Sequence, residues 1–251
     1  MTITSHHNRK LKEIRKLRQR RRWRERSGRF VAEGEDLLAA ADAAGWQPAE
    51  RYCAAGSGLP GIEVEEDLLA AASGLGSGTR TLAVYEERWA RRPLGPLCVY
   101  LHGVHDPGNV GTILRSAQAF GASSVALGPG TADPFGLKAV RASMGAIFTL
   151  PLAKVEDVGE LPGAKIALVP GKGVPLSEVR GEGPDEADGQ GGVEAPDDVS
   201  LLVGAERDGL PQQVVERAGL VAHIPTQIDS LNAAMAATIA LYELGTRMAR
   251  R

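Results

Sequence analysis

Apolar and polar positions after residue 97 follow a pattern that predicts alternating strands and helices. Short apolar runs, typical of buried strands, are separated by stretches in which apolar residues recur at helical spacing. The strands are predicted at 97–104, 123–127, 165–169, 200–204 and 220–224, and the helices at 110–120, 137–147, 211–218 and 231–249. This alternation favours an α/β fold with a parallel sheet between helices. Ligands of such sheets lie beyond the carboxyl ends of the strands, so the loops that follow strands become candidate sites.

A smaller α/β pattern precedes the region that begins at residue 97. Helices are predicted at 33–44, after a segment that begins at Phe30 and Val31, and at 65–72, and strands at 51–55, 62–64 and 81–85. Gly56, Gly58 and Gly61 have the spacing of a dinucleotide-binding turn, but a strand follows where that turn requires a helix, which excludes a nucleotide-dependent oxidoreductase. The chain therefore divides into two predicted modules, 1–92 and 97–251, joined by a proline-containing linker.

The beginning of the chain is strongly basic. A single helix is predicted over 5–26, with Ser5 as its candidate cap and Leu11, Ile14 and Leu17 as a thin apolar stripe. The whole chain has 29 Lys and Arg against 31 Asp and Glu, a net charge of -2, but residues 1–29 alone carry +10. Such a segment favours a polyanion such as RNA as its partner. A solvated helix and an Arg-rich transit peptide are the alternatives.

Other features of the composition limit the possible classes. The length of 251 residues suits one large or two modest domains, and no apolar run approaches the roughly 18 residues of a membrane span. Two cysteines exclude a disulfide framework. Residues 181–198 contain seven acids and neither Lys nor Arg, which predicts a mobile loop. The absence of an export signal predicts a cytoplasmic protein.

Three of the loops that follow strands carry candidate chemistry. In the first, Asn109 is predicted to cap a helix, and Arg115 lies one turn beyond Gly111 with no bulky neighbour before it. His102 and His105 precede this helix but have no nearby carboxylate partner, so no metal site is predicted.

The second loop follows the strand that contains Leu202. Gly204 permits close backbone approach, Glu206 stands at the carboxyl end of the strand, and Gly209 turns the chain toward the next helix. In the third loop, which begins at Ile224, Ser230 is predicted to cap the last helix, with Leu231 and Asn232 in its first turn. A tight turn with solvated charges remains the simpler interpretation of the second loop alone, and the Ala-rich helix after the third loop is by itself only a good helix former.

In this order and spacing the three loops resemble the SpoU/TrmH branch of the SPOUT RNA methyltransferases. The residues that match its three motifs are Asn109, Gly111 and Arg115; Gly204-Ala205-Glu206 and Gly209-Leu210; and Ile224-Pro225 and Ser230-Leu231-Asn232. Residues 138–146 also resemble the family segment between the first two motifs. The resemblance covers 97–250 and is weaker over 1–92. It departs from the family at 226–229, where the family usually has a glycine, and in the length of the 181–198 insert.

The resemblance implies a parallel-sheet α/β domain with a C-terminal trefoil knot, after a small RNA substrate-binding domain. It implies methyl transfer from S-adenosylmethionine to a ribose 2′-hydroxyl of RNA, by a homodimer formed through the C-terminal domain. The implied catalytic residues are Asn109, Arg115, Glu206, Ser230 and Asn232, and the implied cofactor-binding residues are Leu202, Gly204, Gly209, Ile224 and Leu231. Arg115 is then either the base or a clamp on phosphate and alkoxide. Ribosomal RNA is the expected substrate, and tRNA or a non-catalytic assembly role are the alternatives.

Overall fold

The computed structural model describes residues 2–74, 78–181, 193–195 and 198–248. Its contacts group the chain into two units, Met1–Glu87 with Asp133–Thr149, and Arg88–Ala132 with Leu150–Arg251. The grouping follows packing and not chain order. The segment Asp133–Thr149 is interior to the predicted 97–251 module in sequence, yet it packs with the N-terminal residues.

The described helices and strands are as follows. The helices are α1 (Arg9–Gln19), α2 (Arg21–Ser27), α3 (Glu35–Ala43), α4 (Glu66–Ala72), α5 (Pro107–Ala119), α6 (Leu137–Ala142), α7 (Gln212–Glu216) and α8 (Ala233–Met248). The strands are β1 (Arg29–Glu33), β2 (Glu50–Ala54), β3 (Ile62–Val64), β4 (Thr81–Glu86), β5 (Leu97–Leu101), β6 (Ser124–Leu127), β7 (Leu152–Lys154), β8 (Ala164–Leu168), β9 (Val174–Pro175), β10 (Val179–Gly181), β11 (Val193–Ala195), β12 (Val199–Val203) and β13 (Leu220–His223). Three short 3₁₀ turns lie at Ala146–Phe148, Val158–Glu160 and Leu176–Glu178.

The first unit is built on a four-stranded sheet in the order β1-β4-β2-β3. The predicted apolar stripe of α1, Leu11, Ile14 and Leu17, is fully buried in the core cluster beside this sheet. The prediction of one helix over 5–26 is wrong, because Arg20 adopts an extended conformation (φ -125°, ψ 108°) that separates α1 from α2. Ser5 is not the cap either: the Asn8 side chain accepts a hydrogen bond from the Lys10 backbone N–H.

Two ion pairs, each with at least one buried partner, attach α6 and its neighbours to the rest of the first unit. The Arg24 guanidinium lies 2.7 Å from the Asp133 carboxylate and also donates to the Leu17 carbonyl at 2.6 Å. Glu33, whose carboxylate is fully buried, pairs with Arg141 at 2.5 Å. Since an unpaired charge is costly to bury, these contacts fix the segments relative to each other.

Aromatic side chains complete that attachment. Phe30 and Phe135 have ring centroids 4.7 Å apart, and Trp46 meets Phe148 edge to face at 5.2 Å. The Trp46 indole N–H donates to the Phe148 carbonyl at 2.7 Å. The segment Asp133–Thr149 thus completes the apolar core of the first unit, which explains its grouping with residues far away in sequence.

The second unit contains a seven-stranded sheet in the order β7-β6-β5-β12-β8-β13-β9, in which every paired strand is parallel. The predicted parallel α/β architecture is therefore confirmed. β12 lies between β5 and β8, although both are earlier in the chain, and all five of its residues are buried. Helices α5 and α8 pack together, and Ser116 and Thr238 share a hydrogen bond of 2.6 Å between them.

The predicted mobile loop 181–198 falls largely outside the described residues. Of this stretch the structure describes Gly181, the last residue of β10, together with β11 and Asp198. β10 and β11 pair in parallel. Within the described ranges, no helix combines the length and the apolarity that a membrane span requires.

Candidate functional site

A cavity of about 410 Å³ opens at the carboxyl edge of the second unit's sheet. It lies where β8, β12 and β13 end, three strands that are neighbours in the sheet. The lining comes from the segments that follow them: residues 168–172 after β8, 203–210 after β12 and 224–231 after β13, with side chains from α7 and α8. This is the position that the strand pattern predicts for a ligand site.

The loop after β12 forms a tight turn. Ala205 and Gly209 exchange two backbone hydrogen bonds, of 3.1 and 3.0 Å, and Gly209 has a φ of +65°. A Cβ atom at Gly204 would overlap the backbone of Gly209 and Leu210. Gly204 is therefore needed for the close approach of the loop to itself, and the folded turn places Glu206 in the cavity wall.

The loop after β5 differs from the predicted arrangement at its cap. Asp106, not Asn109, caps α5, because its carboxylate accepts the Gly108 backbone N–H at 2.6 Å and Pro107 occupies the first turn. The Asn109 side chain is therefore not needed for the cap and forms other hydrogen bonds. Its amide donates to the Glu206 carboxylate, and its carbonyl oxygen accepts from Asn232 at 3.3 Å.

The start of α8 also differs from the prediction. Asn232, not Ser230, caps the helix: its Oδ1 accepts the backbone N–H groups of Ala234 at 2.9 Å and Met235 at 3.3 Å. Ser230 lies two residues earlier, in the cavity wall. One asparagine thus caps α8 and donates to Asn109, so a chain of hydrogen bonds joins the loops that follow β5, β12 and β13.

The structure places the ten site residues that the sequence suggests in four different environments. Those that line the cavity are Gly204, Glu206, Gly209, Ile224, Ser230 and Leu231. Asn109 and Asn232 are joined to this wall through Glu206. Arg115 is exposed on α5 and makes no hydrogen bond or ion pair with the described residues, whereas Leu202 is fully buried in the core beside Tyr100.

Two parts of the cavity lining are not predicted from the sequence. The segment after β8 supplies Val169, Pro170 and Lys172, and α7 supplies Gln212 and Val215. The residues after β8, Pro-Gly-Lys-Gly, are typical of any turn, and their only signal is their place after a predicted strand. The lining mixes apolar side chains with charges of both signs, which suits a small ligand that itself carries both signs.

A histidine lies at the end of β5, near this edge of the sheet. The Tyr100 hydroxyl lies 2.9 Å from Nδ1 of His102. Burial raises the pKa of Tyr100 to about 12, with the carboxylates of Glu156 and Asp157 adding to the effect, so this hydroxyl keeps its proton at neutral pH. Burial lowers the pKa of His102, which favours its neutral form. Among the described residues, no group of three or more His, Cys, Asp or Glu side chains could hold a metal ion.

Two family profiles match the chain. The SpoU rRNA Methylase family matches residues 96–242, which include all three of the loops joined by Asn109, Glu206 and Asn232. The MRM3-like substrate binding domain matches residues 8–87, most of the N-terminal part of the first unit.

Individual proteins resemble the chain along almost its whole length. The 23S rRNA (guanosine(2553)-2′-O)-methyltransferase RlmP of Bacillus subtilis is 28% identical, over 96% of this chain and 98% of its own. The AdoMet-bound rRNA methyltransferase from Sinorhizobium meliloti has a TM-score of 0.79 at 30% identity, over 97% of this chain and 96% of its own. The SpoU methyltransferase AviRb from Streptomyces viridochromogenes, in complex with AdoMet, has a TM-score of 0.78 at 26% identity, over 96% and 98% of the two chains.

Proposed function

Because the chain belongs to the SpoU rRNA methylase family, we propose that its cavity holds S-adenosylmethionine and that α5 presents the RNA to it. The reaction is transfer of the cofactor's methyl group to a ribose 2′-hydroxyl of ribosomal RNA. The observation that carries this assignment is that the second and third family motifs line one cavity at the carboxyl ends of parallel strands, while Asn109 of the first motif is hydrogen-bonded to Glu206 in its wall. A C-terminal trefoil knot is known for the family.

The cavity fits this cofactor in size and in charge. Its volume of about 410 Å³ is within the usual range for small-molecule sites, roughly 300–1,000 Å³. Lys172 and Arg207 can meet the carboxylate of the cofactor, and Glu206 and Asp229 can meet its cationic groups. Bound S-adenosylmethionine supplies a methyl group already activated by its positive sulfur. The backbone at Gly204, Ile224 and Leu231 would hold it, as the family resemblance implies.

The hydrogen-bonded set Glu206, Asn109 and Asn232 acts by positioning. Asn109 joins the first helix of the site to the wall of the cavity, and Asn232 extends the connection to the start of α8. Because α5 also carries Arg115, this set fixes the helix that presents the guanidinium relative to the cofactor loops. Precise placement matters here, since reacting atoms must meet in line at close range.

We assign Arg115 to the RNA. An exposed guanidinium that has no hydrogen-bond or ion-pair partner among the described residues is available to grip the phosphate beside the target ribose and to stabilise the alkoxide as the 2′-hydroxyl loses its proton to water. The alternative, in which Arg115 itself takes that proton, requires a neutral guanidinium, and arginine in proteins remains protonated. Phosphate and alkoxide binding is therefore the role that the chemistry of arginine favours.

Methyl transfer to defined RNAs tests the function. Purified protein, S-adenosylmethionine and unmodified 23S rRNA should yield one or a few 2′-O-methylated nucleotides, located by mass spectrometry of nuclease fragments. Methylation of tRNA instead would move the substrate to the alternative class. Binding of RNA without binding of S-adenosylmethionine in calorimetry would favour a non-catalytic assembly factor. A ribosomal substrate also underlies the proposal of a cytoplasmic location.

The proposed homodimer has a surface on α8 that suits it. Met235, Ile239 and Tyr242 follow one another at helical spacing and are 57%, 37% and 53% exposed, although all three are large and apolar. The opposite face of the same helix is already buried within the unit, including Ala237, Leu241 and Leu244. We propose that a second copy of the chain covers this exposed stripe, next to the cavity that α8 helps to line.

The oligomeric state tests this surface. Tyr242→Glu combined with Met235→Glu should convert a dimer into a monomer in light scattering at micromolar concentration, because two charges would be buried on each side of the interface. Leu94→Glu, at another exposed apolar residue, is the matched control and should remain dimeric. A parent protein that is monomeric under these conditions would contradict the proposal.

A further inference from the structure

A short cationic segment lies between the parts of the chain that the two family profiles match. Residues 88–92 read Arg-Trp-Ala-Arg-Arg, three cations in five residues without an acid. One profile ends at residue 87 and the other begins at residue 96, so neither assigns a role to this segment. Because residues 30–251 together carry a net charge of -12, the segment is a local exception in sign.

The backbone of this segment is fixed to the edge of the second unit's sheet. β7 is the outermost strand on its side, and the Ala90 backbone N–H donates to the Leu152 carbonyl of that strand at 2.7 Å. Further along, the Leu94 N–H donates to the Ser124 hydroxyl at 2.8 Å, and that hydroxyl donates back to the Leu94 carbonyl at 2.7 Å. The residues between these two anchors therefore belong to an ordered surface of the second unit.

Four side chains of this surface lie together. Arg91 and Arg92 are exposed, and neither forms a hydrogen bond or an ion pair with the described residues. Lys154, the last residue of β7, is also exposed, and its ammonium lies 4.4 Å from the centre of the partly buried Trp89 ring. We refer to Trp89, Arg91, Arg92 and Lys154 as the edge patch.

The acids that follow β7 do not neutralise the edge patch. Asp157 is bonded to Arg217 at 2.5 Å. Glu156 forms no ion pair with any described residue, including Lys154. The positive charge of the edge patch is thus left for a partner outside the chain.

The register of the sheet relates the edge patch to the cavity. Lys154 pairs with Leu127, Leu127 with Leu101, and Leu101 with Val203, which lines the cavity. Lys154 and the cavity therefore lie at the same edge of the sheet, three strand spacings or roughly 14 Å apart. A stacked strand has a phosphate about every 3.4 Å, so roughly four nucleotides would cover this distance.

We propose that the edge patch binds backbone phosphates of the RNA that flank the ribose to be methylated. The proposal rests on the proposed function for the identity of the polyanion. Guanidinium groups bind phosphate oxygens in pairs, and Arg91 and Arg92 are free to do so among the described residues. A polymer is favoured over a small anion, because only a polymer can occupy the cavity edge and the edge patch at the same time.

The aromatic ring of the edge patch supports a cation and does not read a base. Trp89 is partly buried, and the attraction between its ring and the Lys154 ammonium places that charge beside the arginines. The edge patch thus offers phosphate contacts, which position a nucleic acid without recognising its sequence.

The salt dependence of RNA binding tests the proposal. Full-length Arg91→Gln with Arg92→Gln is compared with the parent, with 23S rRNA and a polyuridine oligonucleotide as probes. Between about 50 and 200 mM salt, the slope of log Kd against log salt should fall by about 1.4, since each lost phosphate contact with a single strand removes roughly 0.7. Lys154→Gln, which leaves both arginines in place, should lower the slope by about 0.7.

Steady-state kinetics distinguish this contact from a catalytic one. Arg91→Gln with Arg92→Gln should raise KM for 23S rRNA several-fold and leave kcat unchanged, because a flanking phosphate is held equally in the bound substrate and in the transition state. Calorimetry should show an unchanged affinity for S-adenosylmethionine, since neither arginine lines the cavity.

Two matched variants serve as controls. Arg91→Lys with Arg92→Lys keeps both charges and should keep the parental slope. Arg80→Gln with Lys165→Gln removes two cations that already bond within the protein, and it should change neither the slope nor KM.

An unchanged slope in the variant that lacks both arginines would overturn the proposal, as would an equal loss in the distant control. Binding to phosphatidylserine vesicles that depends on the edge patch, without any effect on RNA, would identify a membrane surface as the partner and would also overturn it. Failure of the parent to methylate 23S rRNA would refute the proposed function, while the salt slope with polyuridine would still report on the edge patch.

Discussion

Single polar side chains determine which atoms of the site are free for chemistry. Asp106 caps α5 and thereby releases Asn109, whose amide then reaches Glu206. Asn232 caps α8 and in addition donates to Asn109. Both asparagines are recognisable in the sequence, but the choice between neighbouring cap candidates depends on where each helix begins. The residue that caps the helix uses its side chain for the helix backbone, and the neighbouring candidate can then form hydrogen bonds within the site.

Arg115 is the residue whose substitution separates two mechanisms. Arg115→Ala should reduce single-turnover methyl transfer at least about 100-fold, the scale on which loss of a charge-stabilising donor acts. Arg115→Lys should recover part of the rate at high RNA concentration, because an ammonium can still bind phosphate. Calorimetry should show unchanged affinity for S-adenosylmethionine, since Arg115 lies outside the cavity wall. A lysine variant as inactive as the alanine variant at every RNA concentration would contradict the clamp.

His102 should make stability depend on pH. Its pKa is lowered in the folded protein by burial, so the unfolded chain takes up the proton first as pH falls below about 6.5. The stabilisation is thus complete above that pH and is lost as pH falls through the folded pKa. His102→Gln keeps a hydrogen-bonding partner for Tyr100 and should show a smaller decrease in Tm between about pH 7 and pH 5. Parallel curves for the parent and the variant would be evidence against this assignment.

At the scale of elements, length decides what periodicity can predict. The predicted strands that became β5, β6 and β12 are buried runs of four or five residues, and β8 and β13 have the same length but are partly buried. β7 and β9 have three and two residues and leave no pattern, although β3, with three residues, is predicted. No Gly or Pro lies at the break between α1 and α2 at Arg20, so the sequence does not indicate that the helix ends there. Local spacing does not record the tertiary contacts that set such boundaries.

The position of a residue relative to a strand also determines whether its place in the site could be predicted. The loops that line the cavity could be predicted because they follow strands of one parallel sheet. Leu202 differs from Val203, which does line the cavity, since successive side chains of a strand point to opposite faces. Arg18 and Arg24 look like further RNA contacts in sequence, and only the folded unit reveals their internal partners.

Asn232 allows the cap of α8 to be separated from its contact with Asn109. Asn232→Ala should lower the free energy of unfolding by about 1 kcal/mol, as loss of a cap does, and should also slow methyl transfer. Asn232→Asp retains the capping oxygens but loses the donor to Asn109. It should unfold like the parent and still slow methyl transfer, which chemical denaturation and single-turnover rates would show. Equal rates in the parent and the aspartate variant would exclude a positioning role for this hydrogen bond.

At the scale of the whole molecule, the two units share one chain that passes between them more than once. The first unit includes Asp133–Thr149, a segment that lies between the two parts of the second unit in sequence. Phe135, Ile147 and Phe148 in this segment are almost completely buried. A division of the chain at residue 88 would therefore remove the partners of these side chains, including Phe30 and Trp46.

Truncation should reveal this dependence. A fragment of residues 88–251 should expose three large apolar side chains, each worth about 1.5–3 kcal/mol when buried, and should bind a hydrophobic dye and aggregate. The matched control is the same fragment with residues 133–149 replaced by a short Gly-Ser linker, and it should bind less dye. If the fragment of residues 88–251 remained monomeric and did not bind the dye, residues 133–149 would have to bury their apolar side chains against other residues of the fragment.

The central place of β12 also determines when the cavity can form during synthesis. β12 pairs with β5 on one side and β8 on the other, and both are made before it. At about 5–20 residues per second, several seconds separate the end of β8 from the end of β12. Throughout that interval β5 and β8 each lack a neighbour, and open strand edges invite pairing with other chains. A nascent chain is thus most vulnerable to mispairing just before the strand that brings Glu206 to the cavity is complete.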